Sequence, residues 1–233
     1  NNSDQSFSYL YWTQPDLSEH VHGIYSEEVK SVVNDLNLDF ESLNILNPNL
    51  SWSPDGSKIA LSTKSEGKDM LAIVDYKTKK LSRVKFPLMD AIQSVSWAPD
   101  GKKIAFNGNI GAYSDIFVYD LETEDFFNIT NDVFTDFEPV WRANSKSILF
   151  ASDRGDKTKL NTYRENYNML LNPDLDQADL YEVKLGASEA KRLTNTPKIN
   201  ETRPVVTAAD QVLYISDLNG IPNVYEFDFN TFE

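Results

Sequence analysis

Short apolar runs with a two-residue alternation fill most of this chain, and polar turn words separate them. In Ile116-Phe117-Val118-Tyr119 and Val224-Tyr225-Glu226-Phe227, successive side chains stand on opposite faces of an extended backbone, which predicts strands. The runs keep a fixed order. A short strand carrying Trp meets a Pro-Asp-Gly turn, and an apolar strand follows at 59–63, 104–107, 148–152 and 212–216. Proline presets φ at the first turn position and glycine supplies φ > 0, so each word predicts a hairpin. A polar loop leads to a third strand at 70–75, 115–120, 179–184 and 223–228. Asp75, Asp120 and Asp228 then open a second turn, in which an Asp side chain can bond the backbone two residues on. A fourth strand leaves at 81–84, 126–129 and 191–193.

These units recur at a constant distance. Ser51-Trp52-Ser53-Pro54-Asp55-Gly56 returns as Ser96-Trp97-Ala98-Pro99-Asp100-Gly101, then erodes to Val140-Trp141-Arg142-Ala143-Asn144-Ser145. The three Trp lie 45 and 44 residues apart, the length of one four-stranded blade of a β-propeller. The expected fold is therefore an all-β propeller of antiparallel blades. The whole chain, 1–233, reads as a single propeller region with approximate blades at 1–46, 47–91, 92–135, 136–199 and 200–233. The first and last blades look incomplete, which predicts a segment of a larger ring or protein.

One blade is irregular. Between Ser152-Asp153-Arg154-Gly155 and Asp179-Leu180-Tyr181 lie about twenty extra residues, a length that in a compact domain points to function or mobility. Because strands alternate direction, the Pro-Asp-Gly and Asp-opened turns share one face, and the other loops share the opposite face. The insertion is expected on that second face, beside the inter-blade segments. A protein or peptide partner is expected there: Asp39, Glu41, Asp136, Glu138, Glu201 and Arg203 would surround the channel mouth, and Tyr163, Arg164, Tyr167 and Met169 would supply contact area.

Charge narrows the partner. With 36 acidic against 22 basic residues the net charge is −14, which excludes the phosphate neutralisation that nucleic-acid binding needs. No apolar run approaches the ~18 residues that span a bilayer. The chain has no cysteine, so disulfides and thiolate chemistry are excluded.

The words Ser-Trp-Ser-Pro-Asp-Gly-x-Lys-Ile-Ala and Ser-Asp-x-x-Gly-x-x-x-Leu-Tyr resemble the WD40-like PD40 repeats of the TolB-type propeller family. Residues 92–101, Ile-Gln-Ser-Val-Ser-Trp-Ala-Pro-Asp-Gly, are especially close. The resemblance implies a non-catalytic scaffold outside the cytoplasm, in the periplasm or cell envelope of a bacterium, binding a protein partner such as an envelope lipoprotein or a neighbouring domain. Residues 39–43 look similar to propellers of large envelope proteins that carry a metallopeptidase-like domain. The alternative is accordingly a gating propeller of a peptidase whose catalytic domain lies elsewhere.

Within the repeats, Trp52, Pro54, Asp55, Gly56, Trp97, Pro99, Asp100, Gly101 and Trp141 read as structural: indoles packed between blades, Asp and Gly in the turns. No cofactor, metal or catalytic residue is expected. His20 and His22, the only histidines, would need carboxylates from other blades to complete a zinc site. Asp174, Asp176 and Asp179 lack the glycine and terminal Glu of a calcium loop and read as a solvated acidic stretch. No Gly-x-Ser-x-Gly word occurs, and no phosphate-cradling glycine loop.

Overall fold

The computed structural model describes residues 42–43, 50–65, 67–161 and 177–229. Its regular elements are all strands, arranged in four antiparallel sheets that follow one another along the chain. The first sheet holds β1 (Ser42–Leu43), β2 (Leu50–Trp52), β3 (Lys58–Ser65), β4 (Lys68–Asp75) and β5 (Leu81–Lys85). The second holds β6 (Ala91–Trp97), β7 (Lys103–Ile110), β8 (Tyr113–Asp120) and β9 (Phe126–Asn128). The third holds β10 (Asp136–Trp141), β11 (Ser147–Ser152), β12 (Asp179–Lys184) and β13 (Lys191–Arg192). The fourth holds β14 (Glu201–Val206), β15 (Val212–Ser216) and β16 (Asn223–Phe227).

Sheets two to four are plain meanders with strands in chain order. In the first, β1 and β2 both pair with β3, Leu43 opposite Thr63 and Trp52 opposite Ile59. Ser42 and Leu43, assigned from the repeat to the end of the first unit, thus belong with the second. The Trp word marks only the lower end of that strand line, which is why the pattern misses its start.

Local chemistry holds the turns. Asp55 Oδ1 accepts from Ser53 Oγ at 2.6 Å and from Ser57 N at 3.0 Å. These bonds, that of the Ser53 hydroxyl foremost, hold the Asp55 carboxyl down to about 2. Asp100 Oδ1 accepts from Lys102 N at 2.9 Å. Gly56 and Gly101 follow with φ of 66° and 76°, a region open to glycine at no steric cost. Asp75 Oδ1 accepts from Thr78 N at 2.7 Å, and Asp120 Oδ1 from Glu122 N at 3.0 Å. The two kinds of turn meet, since Tyr76 N donates to Ser57 O and Leu121 N to Lys102 O, both at 2.9 Å. One face of the molecule therefore carries these turns, and the opposite, loop face carries the remaining connections.

Each central sheet uses both its faces. Ile104, Phe106, Phe117 and Tyr119 pack toward the first sheet, with Leu71, Ile73, Phe86 and Met89. Ala105, Ile116 and Val118, the alternate residues, pack toward Trp141, Ile148, Phe150 and Tyr181 of the third. On the third sheet Leu149, Ala151 and Leu180 turn to Val212 and Phe227 of the fourth. A fully buried side chain of this size contributes ~1.5–3 kcal/mol, so these apolar layers are what bind sheet to sheet. First strands also bond across the gaps: Ser51 Oγ accepts from Trp97 N at 2.8 Å, and Ser96 O from Trp141 Nε1 at 3.1 Å. Sheets so stacked, with first strands side by side, are the blades of a propeller, and the described residues form an arc of it.

Candidate functional site

At the second and third junctions between sheets, the loop face holds a polar cluster; at the first, buried Ile92 takes the place of the acid that opens the strand. Where the second sheet meets the third, β8 supplies Asp115, the crossing from β9 to β10 supplies Thr130 and Asp132, and β10 opens with Asp136. The β11–β12 loop adds Arg154, which is fully buried with Asp132 and Asp136. Its guanidinium lies 3.0 Å from Asp132 Oδ2 and 2.6 Å from Asp136 Oδ1, while Nε donates to Ser152 Oγ at 3.0 Å. Rings surround it, with Phe134, Phe150 and Tyr181 centred 5.4, 5.3 and 5.6 Å away. Burial, then the charge of Asp136, pushes the Asp132 carboxyl up to about 7, against the pull of Arg154. Burial also raises Asp136. Burial opposes the charge of Arg154, but Asp136 and Asp132 outweigh it and hold the guanidinium above its ordinary value.

Asp115, Asp132 and Asp136 bring carboxylate oxygens within 4.8 Å of one another, as a cation site would. Here the chain supplies the cation, because Arg154 already bridges two of them. Asp115 is taken by Asn128 Nδ2 at 2.9 Å and by Asp132 N at 3.0 Å. The arrangement is a buried ion-pair network that ties the β11–β12 loop to the preceding crossing.

The residues expected to meet a partner separate into three groups. Asp136 and Glu201 are buried, at 0% and 2% exposure, and are not available at the surface. Their strand-opening positions put them under the loops, not on them. Glu138 and Arg203 do come together at the exposed upper ends of β10 and β14: Arg203 N donates to Glu138 Oε2 at 2.7 Å, and the charged groups approach to 3.6 Å. Each sits in a β-bulge at φ of 55° or 52°, in the left-handed region. Burial raises the Glu138 carboxyl, partly offset by its bonds to Arg203. Asp39, Glu41, Tyr163, Arg164, Tyr167 and Met169 lie outside the described residues, as do His20, His22, Asp174 and Asp176. Asp179 is not solvated: it opens β12 at 1% exposure, with Arg192 at 2.5 Å.

The first residues of the insertion also depart from expectation. Lys159 bridges to Glu189, Leu160 N bonds Ser188 O at 2.9 Å, and Leu160 is buried. This segment runs along the outer edge of the third sheet beside residues 188–190, away from the loop face on which the insertion is expected. The repeat Trp residues differ as well. Trp97 and Trp141 are buried at 7% and 2% exposure, whereas Trp52 is half-buried, edge-on to Tyr76 with ring centroids 5.4 Å apart. Pro54 and Pro99 are exposed on the turn face beside Gly56 and Gly101.

Sequence reasoning passed over Arg154 and over the loop-face residues Leu88, Leu218 and Ile221, exposed at 75%, 49% and 64%. A signal for the first was present in the paired words Ser152-Asp153-Arg154 and Ser216-Asp217-Leu218, which occupy the same place in successive units.

Residues 33–170, more than half the chain, match the PD40 family, the TolB beta propeller domain. The chain belongs to the TolB-type propeller family. Among solved structures it is similar to TolB from Acinetobacter baumannii, 22% identical with a TM-score of 0.61, over 78% of this chain and 41% of that one. A TolB from Agrobacterium tumefaciens is 20% identical with a TM-score of 0.60, over 82% of this chain and 68% of that one. A prolyl endopeptidase is 16% identical with a TM-score of 0.52, over 78% of this chain and 26% of that one. At these identities the likenesses show the fold. The chain spans 41% of the length of the Acinetobacter TolB. No curated protein matches it.

Proposed function

We propose that this TolB-type propeller is a non-catalytic interaction module that takes a protein or peptide on its loop face, outside the cytoplasm, in the periplasm or envelope of a bacterium. One observation carries the reading. Among the described residues, the exposed large apolar side chains of the connections fall unequally: Leu88, Leu218 and Ile221 on the loop face, against Tyr76 on the turn face. Exposed apolar groups mark an interaction surface where they lie together, as Leu218 and Ile221 do in the β15–β16 loop. Glu138 and Arg203 pair at the inner edge of the same face, and the net charge of −14 favours basic groups on the partner. Tyr163, Arg164, Tyr167 and Met169, together with Asp39 and Glu41, belong to the proposed contact set. The partner fitting this chemistry is a basic segment of an envelope lipoprotein or of a neighbouring domain.

The test is affinity capture from a bacterial envelope fraction with the full chain as bait. A loop-face variant (Leu88→Ser, Ile221→Ser, Glu138→Lys) should lose the captured protein, while a turn-face variant (Tyr76→Ser, Lys77→Glu) keeps it. Equal capture by both variants would overturn the reading. The competing class, a propeller that gates a peptidase, is decided by the parent gene: a downstream Gly-x-Ser-x-Gly or an upstream His-Glu-x-x-His would favour it.

A further inference from the structure

The junction between the third and fourth sheets repeats much of the plan of the one before it. Asp136 and Glu201 both open the first strand, opposite Ser152 and Ser216. Asp153 Oδ1 accepts from Thr135 N at 2.8 Å, and Asp217 Oδ1 from Asn200 N at 2.9 Å. Thr130 Oγ1 accepts from Ile116 N at 3.0 Å, and Thr194 Oγ1 from Leu180 N at 2.9 Å. Arg154 N and Leu218 N each donate to the serine two residues back, at 3.3 Å. The side chains then part company. Where the earlier junction has buried Arg154, the later one has Leu218, whose side chain is half exposed.

The cation of the later junction comes instead from the outer strand. Arg192 lies 2.5 Å from Asp179 and 2.6 Å from Asp156, so its terminal nitrogens are committed to those two acids. Glu201 is held by hydrogen bonds to Thr196, Thr194 and Asp179. Its Oε2 and the Nε of Arg192 are buried without a hydrogen-bond partner. A carboxyl that hydrogen-bonds another carboxylate has to carry a proton, and an ionised one with a bare oxygen at 2% exposure is strongly disfavoured.

We propose that this junction is a pH-operated joint, in which Asp179 and Glu201 share one proton and the fourth sheet loosens from the third when that proton is lost. The groups facing Glu201 account for its behaviour. They are Asp179 from β12, Arg192 from β13, and Thr194 and Thr196 from the crossing. Asp217 follows β15, Tyr214 lies within it with its ring tilted against Tyr225 of β16, and the Glu138–Arg203 pair joins β10 to β14. Burial, then the charge of Asp179, lifts the Glu201 carboxyl to about 7, against the two threonine hydroxyls. The folded value is above the ordinary 4.5, so the joint's contribution is complete below that value and is lost as pH rises through about 7.

Amide hydrogen exchange on the full chain, corrected for intrinsic rates, tests this between pH 4.5 and pH 8. Glu201 N bonds Ala178 O, and Leu180 N bonds Thr194 Oγ1. Their protection should fall by up to about tenfold per pH unit between about 4.5 and 7 and level off above, where open and closed states have both lost the proton. Glu201→Gln should flatten the fall, and Leu218→Arg, which restores the missing guanidinium, should flatten it too. Asp132→Asn should leave it in place, separating the joint from the other titrating acid. An unchanged slope at these amides in Glu201→Gln would overturn the proposal. A wild-type profile that stays flat there from pH 4.5 to 7 would overturn it without any variant.

Discussion

Replacing Arg154 by Met would leave Asp132 and Asp136 buried against each other with no cation between them. Removing one partner of a buried pair costs more than the pair contributes, so a loss of about 3–5 kcal/mol is expected in urea unfolding. Converting Asp132 and Asp136 to Asn at the same time should recover most of it. If the single and triple variants unfold alike, the network is not what that junction rests on. The indoles offer a graded series from the same reasoning. Trp141→Ala, at 2% exposure, should cost about 3–5 kcal/mol, and Trp52→Ala, half-buried, clearly less. Equal losses would contradict the difference in packing. None of this grading was readable from the repeat, in which the three Trp stand in similar words. Nor was the burial of Asp136, whose partner lies 18 residues on, in the β11–β12 loop of the same sheet.

Among elements, the hairpins were the most legible feature because their chemistry is local. Serine, aspartate and glycine within four residues hold the turn at Ser53–Gly56 whatever surrounds it. Gly101→Ala therefore has a definite expectation. The added Cβ meets only Pro54 Cδ at 3.9 Å, so space is adequate, but φ of 76° strains any L side chain. A loss of about 1–2 kcal/mol should appear as a lower urea midpoint; an unchanged midpoint would mean that the turn relaxes. Strand β1 and the start of the insertion were misplaced for the opposite reason. Their course is set by pairing with Thr63–Lys64 and with Glu189, contacts between residues far apart in sequence and between words that carry no repeat. The inner-strand bulges were equally silent in the pattern, since a bulge adds one residue without disturbing the apolar period that follows.

For the molecule as a whole, charge and layering act together. A net charge of −14 repels itself across the surface, and added salt screens that repulsion over about 8–10 Å. Raising NaCl from 10 to 150 mM should raise the melting temperature, whereas the Arg154 network, sealed from solvent, should show little salt dependence in a double-mutant cycle. A falling melting temperature would mean that surface ion pairs outweigh the repulsion. Because Phe117 serves one apolar layer and Ile116 the next, each sheet answers only to the two beside it. Stability is then close to a sum of nearest-neighbour terms. Such a stack tolerates piecemeal drift: one seam can trade its arginine for leucine while the next keeps it, and descendants can differ in where they yield without differing in shape.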